Sequence, residues 1–135
     1  MHVTPPPSES APEIAAHSII PFDHADLLDR IMGNEAVAEI ILQGFLEDMP
    51  RQLAALRRYL DASDIEQATR QAHTIKGAAA NVGGSALRAV ALTMETAGRN
   101  GDLDGIQTHF DTLEATFAQL QQAIEQWRCR YNHPN

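Results

Sequence analysis

The sequence predicts an all-α protein, an up-down four-helix bundle with an additional short N-terminal helix. Apolar residues recur at intervals of three and four along four long segments, and the strict alternation that marks strands is absent. The chain also holds 21 alanines, about 16% of its 135 residues, and alanine is the strongest helix former. Short loops between the segments favour antiparallel neighbours, as in a bundle.

A glycine separates the first two predicted helices. Asp23 is placed to cap a short helix through Met32, and Gly33 to end it. Asn34 then caps a long helix. The apolar positions of this long helix are Val37, Ile41, Phe45, Met49, Leu53, Leu56 and Leu60. Pro50 lies inside the pattern and lacks a backbone donor, so we expect a kink there.

The third and fourth helices are predicted from capping residues and inner faces. Ser63 and Glu66 fit the Ser-x-x-Glu capping box at the start of the third helix. Gly83-Gly84 ends this helix, and Ser85 is placed to cap the fourth, which ends near Gly98. The inner faces comprise Ile65, Ala68, Ala72, Ile75, Ala79 and Val82 on the third helix and Leu87, Val90, Ala91 and Met94 on the fourth.

The last helix is predicted to start at Asp102, after an Asn100-Gly101 turn. Its stripe consists of Leu103, Ile106, Phe110, Leu113, Phe117, Leu120, Ile124 and Trp127. The bundle is therefore expected to span residues 21–130, followed by a tail at 131–135. Residues 1–20 include four prolines within ten residues and are expected to form a flexible linker or tail, a frayed terminus being the alternative.

Composition excludes several classes of function. The chain carries 10 basic and 18 acidic residues, a formal net charge of −8, whereas nucleic acids and anionic membranes call for a basic patch. Its apolar runs are too short to cross a bilayer, and no signal-peptide core follows Met1. The lone Cys129 cannot form an internal disulfide. A cytoplasmic protein is predicted.

His73 is the candidate functional residue among six histidines. Helical geometry places it roughly 130° from the centre of the inner face of its helix, so its imidazole is expected to face solvent. Gly77 costs about 0.5–1 kcal/mol relative to alanine inside a helix, and access for a docked partner would explain it. Lys76 offers positive charge one turn away. An imidazole is largely neutral at pH 7 and can act as a nucleophile, so this group suits acceptance of a phosphoryl group.

The segment from His73 to Gly84, H-T-I-K-G-A-A-A-N-V-G-G, resembles the signature of histidine-containing phosphotransfer (HPt) domains. That signature is His-x-x-Lys-Gly, then small residues, then a further glycine, which is Gly83 here. Segments 45–56 and 87–97 also resemble the flanking helices of the family, and the resemblance covers about residues 22–127.

The resemblance implies a phosphorelay carrier. His73 would accept a phosphoryl group from the aspartate of one receiver domain and pass it to another receiver, Lys76 would balance the phosphate charge, and Gly77 would permit close docking. The receiver would supply Mg²⁺, the chain itself needing no cofactor or metal. Because the chain has no ATP site, whether it counts as an enzyme depends on definition. The candidate receiver-binding residues are Leu27, Leu28, Ile31, Met32, Thr69, Ala80 and Gly84.

Two alternatives remain open. The chain could be a helical adaptor in which His73 is incidental, whereas a metal site inside the bundle is disfavoured because the helix stripes contain no inward carboxylates or histidines at di-metal spacing. The parent could be a free-standing protein, as Met1 favours, or a bacterial hybrid sensor histidine kinase with this domain at its C-terminus, as the proline-rich start favours. If that parent is a membrane sensor, the domain would lie on the cytoplasmic side, tethered to the inner membrane through the kinase. A monomer without membrane contact of its own is expected.

Overall fold

The computed structural model describes residues 20–131. This part of the chain forms five helices and no strand, so the predicted fold class is confirmed. The helices are α1 (His24–Arg30), α2 (Glu35–Asp61), α3 (Ile65–Asn81), α4 (Ser85–Arg99) and α5 (Leu103–Tyr131). The predictions for segments 1–20 and 131–135 lie outside the described residues, apart from Ile20, whose carbonyl accepts from Ala86, and Tyr131, which belongs to α5.

The four long helices form an up-down bundle, and α1 closes one end of it. α3 packs between α2 and α4, and α5 packs on α4 and returns to α2. At the α3–α4 turn, the Asp23 amide donates to the Gly83 carbonyl at 2.7 Å and the Arg30 guanidinium donates to the Ala80 carbonyl at 2.6 Å. α1 is thereby fixed beside the C-terminal end of α3.

The core is mainly aliphatic, with four phenylalanines and Trp127 also buried, and it follows the predicted stripes closely on α3, α4 and α5. On α2, Ala38 and Leu42 are fully buried, whereas the predicted Val37 and Ile41 are half-buried. Each step of four residues turns about 40° around a helix, so counting back from Phe45 by fours drifts to the edge of the buried face. α2 continues through Pro50 without a break, and the kink there stays a prediction.

Two predicted helix caps are wrong by one residue. Asp64, not Ser63, caps α3 by accepting from the Gln67 amide, because Ser63 takes a left-handed φ of 55° and terminates α2. Gly84 precedes α4 with no side-chain cap, and Ser85 is the first helical residue. A Cβ at Gly84 would lie 2.8 Å from Leu120 Cδ2, so a capping residue at this turn would force the buried Leu120 side chain to shift.

α3 and α4 lie close together because small residues separate them. Ala68, Ala72 and Ala91 are fully buried there, and Gly98 faces Thr69 so closely that a Cβ at Gly98 would collide with the Thr69 side chain. This close approach brings a side chain of α4 into contact with α3.

Gly98→Ala is expected to lower the free energy of unfolding by about 1–3 kcal/mol, because overpacking forces neighbouring atoms to move. Urea denaturation measures the effect. Gly44→Ala is the matched control, since Gly44 also lies within a helix but has open space around it. The control should gain about 0.5–1 kcal/mol, and an equal gain for Gly98→Ala would contradict the close contact.

Candidate functional site

His73 lies in the middle of α3, on the side that faces α4. Burial of Ala72 and Ile75 fixes the rotation of the helix, and the His73 side chain is 61% exposed. The predicted exposure of the imidazole is confirmed.

Glu95 of α4 holds the imidazole in one orientation. Its side chain is only 3% exposed, and its Oε2 lies 2.8 Å from Nδ1 of His73. An ionised carboxylate can only accept, so Nδ1 carries the proton in this pair. In the neutral imidazole the lone pair is then on Nε2, the nitrogen that does not contact Glu95.

Two cations share the same carboxylate. Lys76 Nζ lies 2.8 Å from Oε1 of Glu95, and the Arg99 guanidinium donates to Oε2, the oxygen that His73 also contacts. The two cations differ in freedom, since the Lys76 side chain is 23% exposed and that of Arg99 is 67% exposed. Lys76 is therefore the cation that contributes most to neutralising the buried charge of Glu95.

The ionisation of Glu95 follows from these contacts. Burial by itself would raise the pKa of this carboxyl, but hydrogen bonds and charge from Lys76, His73 and Arg99 outweigh burial and lower the pKa from 4.5 to about 2. Glu95 is consequently ionised at neutral pH.

This shift predicts a pH dependence of stability. Because the pKa of Glu95 is lowered on folding, ionised Glu95 contributes to the free energy of unfolding. This contribution is complete above pH 4.5 and is lost as the pH falls from 4.5 towards about 2. At neutral pH the contribution is on the order of 3 kcal/mol. Urea unfolding of the wild type and of Glu95→Gln, compared from pH 7 down to pH 3, should show the difference shrinking below pH 4.5. A constant difference would contradict the shift.

The surface around His73 is open on both sides. A Cβ added at Gly77, one turn towards the C-terminus of α3, would meet no atom within 4 Å, so the packing of the described residues does not require a glycine there. On the N-terminal side, an open groove of about 400 Å³ runs between α3 and α4. Its walls are formed by Thr69, Arg70, His73, Thr74, Glu95 and Arg99.

The predicted receiver-binding residues do not form one exposed surface. Met32 is 93% exposed, with a left-handed φ of 59°, and it stays the strongest candidate from α1 and the loop that follows. Leu28 and Ile31 are half-buried against the core. Leu27 is 1% exposed and Gly84 is buried against α5, so the structure removes both from the surface that a partner could touch.

The remaining two predicted neighbours lie on α3. Ala80 is half-buried, and its carbonyl accepts from Arg30. Thr69 is half-buried under Gly98 and donates to the Ile65 carbonyl, so it lines the groove but has its hydroxyl proton engaged.

Sequence reasoning missed Glu95 and Arg99 as parts of the site, although the Glu95 side chain is buried on α4. A signal was present. Glu95 follows Ala91 by four residues and precedes Gly98 by three, so it shares a face with small residues that pack against α3.

The arrangement of His73 and Glu95 can present one oriented nucleophilic nitrogen to a partner.

Among residues 20–131, no group of three or more His, Cys, Asp and Glu side chains is placed to hold a metal ion. None of the five helices is long and apolar enough to cross a membrane.

Comparison with known families gives a match to the Hpt domain. The model of the Hpt domain family matches residues 40–126, which is more than half of the chain and includes His73, Lys76, Gly77 and Glu95. No curated protein and no solved structure matches the chain.

Proposed function

The chain belongs to the Hpt domain family, and we propose that it is a histidine phosphocarrier of a multistep two-component phosphorelay. Nε2 of His73 accepts a phosphoryl group from the aspartyl phosphate of one receiver domain and passes it to the aspartate of another. The observation that carries this proposal is the contact between Nδ1 of His73 and the buried Glu95, which leaves Nε2 as the free nitrogen on an exposed imidazole.

The transfer step follows from this geometry. The Nε2 lone pair attacks phosphorus, the bond between phosphorus and the aspartyl oxygen breaks, and the carboxylate of the donor leaves with the electron pair. The imidazole ring becomes cationic while Nδ1 keeps its proton. Glu95 stabilises that charge because its carboxylate already accepts from Nδ1. Transfer to the next receiver is the reverse reaction with a second aspartate.

The other residues act through position and access. Lys76 keeps Glu95 ionised by its contact with Oε1, and Gly77 leaves room for the receiver beside His73. The chain is proposed to need no cofactor of its own, since the receiver brings the Mg²⁺ that the reaction uses. The protein is proposed to act as a cytoplasmic monomer, as a free-standing carrier or as part of a sensor kinase.

Phosphotransfer is the experiment that tests this function. The purified protein is mixed with several phosphorylated receiver domains, and acid-labile, base-stable phosphate is measured and located by mass spectrometry of peptides. Label on the peptide that carries His73 is expected, and the fastest donor identifies the pathway. A folded protein that takes no label from any receiver would favour the adaptor function.

A further inference from the structure

A group bound to Nε2 of His73 would be directed into the groove beside this residue. Side chains of a helix lean towards the N-terminus of that helix, so the imidazole of His73 extends over the preceding turn, which carries Thr69 and Arg70. These residues line the groove, whereas Lys76 and Gly77 follow His73 in the chain. A phosphoryl group on Nε2 would therefore point towards the groove and away from Lys76.

Two exposed guanidinium groups border this groove. Arg70 is 69% exposed and makes a single contact of 3.3 Å with the exposed Glu66, a kind of surface pair that is weak. Arg99 donates to the same oxygen of Glu95 that His73 contacts, and both side chains line the groove. The planar guanidinium group matches the geometry of phosphate oxygens.

The charges around Glu95 favour an exchange of partners. In the unphosphorylated protein one buried carboxylate is matched by Lys76 and Arg99, which is one cation more than neutrality needs. A phosphoryl group adds about 1.5 to 2 negative charges at pH 7. If Arg99 turned to that group, Glu95 would keep Lys76 and the Nδ1 proton of His73.

We propose that the groove between α3 and α4 holds the phosphoryl group of phosphorylated His73, and that Arg99 leaves Glu95 to bind its oxygens. This inference rests on the proposed phosphorylation of His73 and adds a division of labour. Lys76 fixes the carboxylate that orients the imidazole, and Arg99 binds the phosphoryl group, the task that sequence reasoning gave to Lys76. Arg70 adds a second positive charge at the rim of the groove.

The test compares three variants that each remove one positive charge: Arg99→Gln, Lys76→Gln and Arg88→Gln. Lys76 contacts the same carboxylate as Arg99, and Arg88 is exposed on the same helix but outside the groove. Each protein is phosphorylated with phosphoramidate, from which Nε2 displaces ammonia. No receiver is needed, so failure of a receiver to donate does not affect this test. The ³¹P resonance of His73 is identified by its absence in His73→Gln.

The readout is the pKa of the phosphoryl group itself, followed by ³¹P NMR across a pH titration. A cation within about 4–6 Å favours the dianion, so Arg99→Gln is expected to raise this pKa by about one unit relative to the wild type. Arg88→Gln should change it by much less, and Lys76→Gln should change it by less than Arg99→Gln does. The Nε–H resonance of Arg99 should also shift when the wild type is phosphorylated.

Two results would overturn the inference. One is a phosphoryl pKa in Arg99→Gln equal to that of the wild type, and the other is a larger change in Lys76→Gln than in Arg99→Gln, which would give the phosphoryl group to Lys76. Circular dichroism and thermal unfolding of each variant establish that the bundle is intact. The exposure of Arg99 makes its replacement the least disruptive of the changes around Glu95.

Discussion

His73→Gln is expected to abolish phosphate acceptance while the bundle folds normally. The lone pair of an amide nitrogen is delocalised, so glutamine offers no nucleophile, whereas its N–H can still donate to Glu95. Because the side chain at position 73 is 61% exposed, the free energy of unfolding should change by less than about 1 kcal/mol. Label transfer from a phosphorylated receiver and urea denaturation of the same preparation measure both effects.

His109→Gln is the matched control for this substitution. His109 is half-buried on α5, and its Nδ1 contacts the Gly105 carbonyl at 2.8 Å, away from the groove. The control should accept phosphate at the wild-type rate. Normal uptake by His73→Gln, or loss of uptake in His109→Gln alone, would show that the phosphorylated residue is a different one.

The order of the helices and most of the core could be predicted because both are local properties. Spacing of apolar residues fixes which face of a helix is buried, and the position of His73 relative to Ala72 and Ile75 was therefore predictable. Helix ends were less certain, since Ser63 is a good capping residue in isolation. Ser63 instead takes the left-handed conformation at the end of α2, so Asp64 becomes the cap of α3.

The site could be predicted only as far as it lies on one helix. His73, Lys76 and Gly77 share α3, and their spacing was enough to identify them. Glu95 and Arg99 come from α4, and their contacts depend on how far α4 slides along α3. The spacing of residues along the sequence does not determine the register of α4 against α3, because that register is set by the close packing at Gly98 and Thr69.

Burial explains why part of the predicted partner surface is not exposed. Exposed and buried apolar residues look alike in a sequence. In the structure, Leu27 is 1% exposed whereas Met32 is 93% exposed. α1 crosses the end of the bundle, so one face of α1 is buried against the core. Met32 escapes burial because the chain turns through left-handed conformations at Met32 and Gly33.

Gly77→Leu is expected to block transfer from a receiver by about two orders of magnitude without harming the fold. A leucine side chain at this position would stand on the open surface one turn from His73, where a docked receiver must come close. Displacement of reacting groups by about 1 Å is enough for a loss of this size. Leucine is also a better helix former than glycine, so the free energy of unfolding should rise by about 0.5–1 kcal/mol.

Chemical phosphorylation separates a docking defect from a defect in His73 itself. Gly77→Leu should take phosphate from the small donor phosphoramidate at the wild-type rate and fail only with receivers, since Nε2 and Glu95 are untouched. Gly77→Ala should gain the same helix stability and lose less than tenfold in transfer, because a methyl group on open surface displaces a partner only slightly. Wild-type transfer rates in Gly77→Leu would mean that the receiver does not cover this turn of α3, and the glycine would then have no explanation in the described packing.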